Sequence, residues 1–151
     1  IFNFFGKMFL GDGGSYLISF VAGIILIKFS SDNYLVSPYY IMALLWYPAY
    51  ENLFSIVRKK ILNKAPSTPD NEHLHQLIFL YFNKSFNINK NLSNLLSGIL
   101  ICLYNLLFFF IIFDWYFFTA TLVYSVLLNV FIYNLLYFFL KTRLIKNNQN
   151  G

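Results

Sequence analysis

The sequence predicts an all-α, polytopic membrane protein with about four transmembrane helices, a cytoplasmic amphipathic helix and a cytoplasmic loop. Three observations predict it. The 151 residues are 58% hydrophobic and 11% charged, against about 25% charged in soluble domains. Apolar runs of the length a bilayer requires, about 17–25 residues, recur along the chain. Lysine and arginine cluster between these runs in the pattern that sets membrane topology. The net charge of +5 is therefore read as orientation. No basic stripe or binding motif accompanies it, so nucleic acid is not expected as a partner.

The whole chain, 1–151, reads as one unit. The first span runs over about 14–29 and starts inside the turn "GDGGS". Ser30 to Ser37 is a polar break. The second span, about 38–57, opens at Pro38, and Pro48 is expected to kink it. Its continuation, "ENLFSIVRKKIL", is amphipathic, with Leu53, Ile56, Val57 and Ile61 at helical spacing. The loop 58–94 is polar apart from "LIFLYF", which is too short to span and is expected to lie at the interface. Leu95 to Leu140 is almost continuously apolar. As one helix it would measure about 70 Å, far more than the hydrocarbon core of about 30 Å. It therefore divides into spans at about 95–113 and 115–140, turning at Asp114, with Trp115 and Tyr116 suited to the interface.

Arg58, Lys59, Lys60, Lys64, Lys84 and Lys90 lie in the loop. Lys141, Arg143 and Lys146 lie in the tail, and Lys7 precedes the first span. The two short turns carry Asp32 and Asp114, with Lys28 nearby. The positive-inside rule then places GDGGS, loop 58–94 and the C-terminus in the cytoplasm. Cys102 is a single cysteine, which allows no internal disulfide, and is read as a packing residue. The chain starts at Ile1 without a signal-peptide pattern and is expected to be the C-terminal part of a longer protein.

Four groups of residues bear on chemistry. In GDGGS, glycines permit close backbone approach to a bulky anion, and a helix start offers free N–H groups to phosphate. Asp12 suits a phosphate only through a bridging Mg²⁺; alternatively it is an N-cap and the glycines form a turn. In "APSTPDNEHLHQL", His73 and His75 share a face if extended and do not if helical. Asp70 and Glu72 nearby suggest zinc, but further ligands at usual spacing are missing. The open alternatives are a solvated proline-turn loop and a polyanion site shared with Arg58. Glu51 lies near the end of a span, where an ionisable residue is a functional candidate, and Arg58 follows two helical turns later. A basic helix resting on anionic lipid is the competing reading, supported by Lys59 and Lys60. Asn105, Asn129 and Asn134 are expected to be interhelical hydrogen-bond partners.

Three motifs, "GKMFLGDGGSYLISF", "YPAYENLFSIVRKKILNKAPSTPDNEHLHQL" and two further spans, stand in one order. In this the chain resembles the C-terminal half of the polyprenyl-phosphate N-acetylhexosamine-1-phosphate transferases, in particular the undecaprenyl-phosphate N-acetylglucosamine-1-phosphate transferases. The resemblance implies transfer of a sugar-1-phosphate from a UDP-sugar such as UDP-N-acetylglucosamine to a polyprenyl phosphate, releasing UMP. It implies a multi-pass protein of the bacterial inner (plasma) membrane, acting at the first membrane step of cell-wall or lipopolysaccharide synthesis. It implies that Asp12 is an active-site carboxylate binding Mg²⁺ (or Mn²⁺). By the same resemblance Gly13, Gly14, Arg58, His73 and His75 bind the nucleotide-sugar phosphates. Gln76 departs from the family's HxHH form, and Glu51 stands where many members have aspartate. The family's adjacent-aspartate motif is absent from these residues, so this segment is expected to be inactive alone. The competing function classes are a transporter component, since broken helices occur there, and a non-catalytic membrane partner.

Overall fold

The computed structural model describes residues 11–63, 65, 70 and 72–149, without the side chains of Asp12 and of 147–149. Six helices follow in order: α1 (Gly11–Asp32), α2 (Pro38–Leu44), α3 (Trp46–Ile61), α4 (Leu74–Ser85), α5 (Lys90–Ile112) and α6 (Thr119–Gln149). A 3₁₀ turn, Phe113–Trp115, joins the last two. No strand occurs among the described residues. Three stretches, Gly13–Asp32, Lys90–Trp115 and Thr119–Lys146, are long and apolar enough to cross a membrane. The chain is an all-α polytopic membrane protein.

The second expected span, 38–57, differs from its prediction. It is divided at Leu45 into α2 and α3. Pro48 sits in the first turn of α3, where an amide N–H has no helical partner to lose. Its ring excludes the carbonyl of Leu44, four residues back, and Leu44 is where α2 stops. The proline therefore ends one helix and starts another instead of bending a single one. Ser37 caps α2 by accepting from the Tyr39 amide at 3.3 Å.

Two sets of contacts define the two ends of the bundle. At one end the Ser37 amide donates to the Tyr116 carbonyl at 2.9 Å, and Ser37 Oγ lies 2.9 Å from Thr119 Oγ1. At the other end α3 and α6 meet through Arg58 and Tyr137. Between them lies a core that includes Trp46, Phe108, Leu122, Tyr133 and Tyr137. The patch "LIFLYF" is helical and, as expected, too short to span. It belongs to α4, which packs against α5 and α6 and buries Leu74, Leu77 and Ile78.

Helix α3 is inverted relative to a soluble protein. Its apolar positions Leu53, Ile56, Val57 and Ile61 face outward, while Glu51 and Ser55 are buried. In lipid this is the favourable arrangement, because the surroundings are apolar and the polar groups find one another inside. Helix α1 likewise exposes Tyr16, Phe20 and Ile27. Cys102 also faces outward, so it is not the packing residue expected. Two of the three asparagines link helices as anticipated: Asn129 accepts from the Tyr104 hydroxyl, and Asn134 donates to Tyr50 Oη at 2.7 Å. Asn105 instead bonds its own helix at Ile101 O, 2.9 Å.

Ser93 and Ser97, in the first turns of α5, are 0% and 3% exposed. Small side chains of this kind let membrane helices approach closely. Ser93→Leu overpacks that contact and is expected to destabilise by about 1–3 kcal/mol, read as a lower thermal midpoint in detergent. Leu106→Ala, on the outward face of α5, is expected to change stability by less than about 0.5 kcal/mol.

Candidate functional site

The site starts from one side chain. Arg58 on α3 carries a guanidinium that is 10% exposed, and a group so hidden must find acceptors. Its Nη1 donates to the Glu72 carbonyl at 2.7 Å and to Tyr137 Oη at 2.8 Å. Its Nη2 donates to Asp70 Oδ2. The Phe54 and Tyr137 ring centroids lie 5.6 and 5.4 Å from its central carbon, within cation–π range. Asp70 also accepts from the Ser55 hydroxyl and, through Oδ1, from the Glu72 amide at 3.1 Å. Glu72 Oε2 receives Lys141 Nζ at 2.6 Å and the Tyr137 hydroxyl at 3.2 Å. Chain ahead of α4 is thereby fastened to both α3 and α6.

These contacts set the charge states. Burial works to raise the Asp70 carboxyl, but hydrogen bonds from Ser55, the Glu72 amide and Arg58 overcome it and leave it at about 2. Glu72 is lowered, first by its hydrogen bond from Lys141 and against some burial.

The fastened loop delivers His73 to the N-cap of α4. His73 N–H donates to Gln76 Oε1 at 3.0 Å, and the His73 side chain accepts from the Gln76 amide, completing a capping box. This gives Gln76 a local role that the motif alone did not show. Glu51 reaches the same helix start. Its Oε1 accepts from the Leu74 amide at 2.9 Å and lies 3.0 Å from His73 Nδ1. A carboxylate there complements the positive end of the helix dipole. Glu51 Oε2 is buried with the hydroxyls of Tyr47 and Tyr133 beside it.

The two imidazoles stack, with centroids 5.7 Å apart and planes 11° from parallel. His73 is extended and His75 helical, so the stack arises at the junction of the two conformations the sequence left open. His75 is the more open ring. Desolvation lowers its pKa first, Glu51 pulls it partly back, and His73 lowers it further. The shift favours the neutral ring, which offers one donor and one acceptor nitrogen.

Arg58, His73 and His75 are thus gathered in one place. Arg58 gives its hydrogen bonds to Glu72, Tyr137 and Asp70. GDGGS forms the first turn of α1, where Gly11 takes a left-handed φ of +67° that favours glycine. Open space surrounds a Cβ built at Gly13, and Gly14 is half-buried. The Asp12 side chain lies outside the described residues. No described hydrogen bond or ion pair joins this turn to the Arg58 cluster; Ser15 Oγ bonds back to Gly11 O at 2.9 Å. Sequence reasoning missed Tyr137 and Lys141 altogether, and it missed that Asp70 and Glu72 serve Arg58. The available signal was the polar stripe Glu51, Ser55 and Arg58 at i, i+4 and i+7 of one helix.

No group of three His, Cys, Asp or Glu side chains suited to a metal occurs among the described residues. Asp70 and Glu72 do not fit a divalent cation, because each already serves Arg58 or Lys141.

The acid dependence of the loop follows from Asp70. Its folded pKa is depressed from 3.8 to about 2, so its contribution is complete above the unfolded value and is lost as pH falls through the folded one. Protease cleavage of the loop is expected to rise as pH falls from about 4 to about 2. Asp70→Asn should be cleaved readily at neutral pH and lose that dependence, measured by fragment yield.

The chain is 33% identical over 72 residues to the undecaprenyl-phosphate alpha-N-acetylglucosaminyl 1-phosphate transferase of Thermotoga maritima. The match spans 47% of this chain and 23% of that protein. No family model and no solved structure matches. The likeness supports a distant relationship to a membrane transferase.

Proposed function

We propose that the chain is part of an integral membrane enzyme that transfers a sugar-1-phosphate, N-acetylglucosamine-1-phosphate, from a UDP-sugar to undecaprenyl phosphate and releases UMP. The observation that carries this reading is the stacked His73–His75 pair at the start of α4, held by Arg58, Asp70, Glu72 and Glu51. Phosphoryl transfer depends chiefly on positioning and charge neutralisation. A helix N-terminus beside two imidazoles suits the oxygens of a nucleotide diphosphate. The likeness to the Thermotoga maritima transferase supports the same chemistry.

Arg58 acts in this reading as a positioning residue. Its fork holds the Asp70–Glu72 segment, and the imidazoles follow from that placement. His75, neutral and open, would donate to a phosphate oxygen. Gly13 and Gly14 leave backbone space at the start of α1. Asp12 is the carboxylate to which the proposal assigns Mg²⁺ (or Mn²⁺), and the metal requirement tested below rests on that assignment. The enzyme acts in the bacterial plasma membrane at the first membrane step of a cell-envelope polysaccharide. GDGGS, loop 58–94 and the C-terminus face the cytoplasm, where UDP-sugars are made. A lipid acceptor is consistent with a site built at the end of apolar helices.

The full-length protein in membranes, assayed with a panel of UDP-sugars and polyprenyl phosphate, is expected to release UMP only with divalent metal. Asp12→Asn should abolish release; unchanged turnover would remove Asp12 from the mechanism. Arg58→Lys cannot reproduce the planar fork and is expected to raise the KM for the UDP-sugar by about tenfold, equivalent to about 1.4 kcal/mol. An unaltered KM would leave Arg58 without a part in substrate binding. Absence of UMP release with every UDP-sugar overturns the transferase reading.

A further inference from the structure

A cavity lies at the opposite end of the bundle from Arg58, where the α1–α2 turn meets the turn before α6. Its volume is about 380 Å³, within the range of small-ligand sites, about 300–1,000 Å³. Rings of Phe29, Tyr34, Tyr40, Phe113 and Tyr116 line it, together with Asp32.

The electrostatics of this cavity are one-sided. Helices α1 and α5 both direct their C-termini to it, and a helix C-terminus carries partial negative charge. Neither has a basic residue in its last turn. Asp32 adds a full carboxylate at the C-terminus of α1, the unfavourable end for an anion. Among the described residues no ion pair neutralises it, and Lys28 stands one turn away without forming one. Asp32 is exposed among these rings, and a carboxylate with aromatic neighbours favours an organic ammonium, which gains cation–π contact and a charged hydrogen bond together.

We propose that this cavity binds the ammonium headgroup of a bilayer lipid, of the phosphatidylethanolamine type. Position selects a lipid over a dissolved amine. The cavity opens at the ends of membrane-length helices, tyrosines at that depth suit a headgroup layer, and outward-facing Ile27 and Phe117 offer apolar contact for acyl chains.

The test is native mass spectrometry of the full-length protein released from nanodiscs of equal phosphatidylethanolamine and phosphatidylglycerol. The wild type is expected to retain phosphatidylethanolamine preferentially. Asp32→Asn should lower that preference by about tenfold, the scale of one charge-assisted hydrogen bond. Tyr34→Leu, at a position 89% exposed and so without a core role, should lower it several-fold. Asp114→Asn, the other carboxylate at this end but outside the cavity lining, should leave it unchanged. Equal retention of both lipids by the wild type overturns the proposal. So does an unchanged preference in Asp32→Asn and Tyr34→Leu, or an equal loss in Asp114→Asn, which would make the effect a diffuse field. Sugar-phosphate transfer is not read out, so this result stands apart from the transferase assay.

Discussion

A guanidinium hidden beside two aromatic rings has to be met by acceptors, and the arrangement around Arg58 follows from that requirement. The arginine belongs to α3, its acceptors to the chain ahead of α4 and to α6. One ion therefore ties three segments that are far apart in sequence. Removing it would leave Asp70 buried without its cation, which costs more than the pair contributes when intact. The interaction is consequently better understood as specifying where the loop sits than as a source of net stability. Tyr137 sharpens that specification, because its hydroxyl accepts from Arg58 and donates to Glu72 in the same network.

Along α3 Leu53, Ile56, Val57 and Ile61 turn outward, while Glu51, Ser55 and Arg58 turn inward. The same helical period that buries leucine in a soluble protein here buries Glu51, Ser55 and Arg58. Interior polar groups then find partners on neighbouring helices, as Asn134 does with Tyr50 and Asn129 with Tyr104. A hydroxyl or amide in such a bundle contributes modestly, on the order of 0.6 kcal/mol by double-mutant cycles in one membrane protein. Its larger effect is on register, since an alternative packing would strand it in hydrocarbon.

The all-α membrane architecture was readable from length and hydropathy, because about 20 apolar residues have few other uses. The exact breaks were not. Pro48 was expected to bend a helix that it instead divides, since periodicity does not say whether the carbonyl four residues back will be inside a helix. Of the site, Arg58, His73 and His75 stood out singly by residue type. Tyr137, which bonds Arg58, and Lys141, which bonds Glu72, did not, being 79 and 69 residues from those groups and lying in or just after a run that reads as ordinary span. Glu51 was visible as an ionisable residue near a membrane boundary, but its grip on the α4 start required knowing that α4 folds back against it. Gln76 looked like a departure from a motif and is explained by local capping geometry.

Helix direction and charge account for a difference between the two ends of the bundle. Where α3 and α6 terminate, basic residues occupy the last turns, and the dipole rule is satisfied. Where α1 and α5 terminate, no basic residue does, and Asp32 and Asp114 stand there instead. The rule is broken at that end because a stronger one overrides it. Positive-inside sorting, which concentrates lysine and arginine on one side, would account for the scarcity of cations at these helix ends, where Lys28 is the nearby base. Each such cation contributes only tenths of a kcal/mol to about 1 kcal/mol, while misorientation would forfeit the whole fold. The negative field left over is a consequence of topology, and it makes the headgroup layer, with its own ammonium groups, the natural source of the missing positive charge.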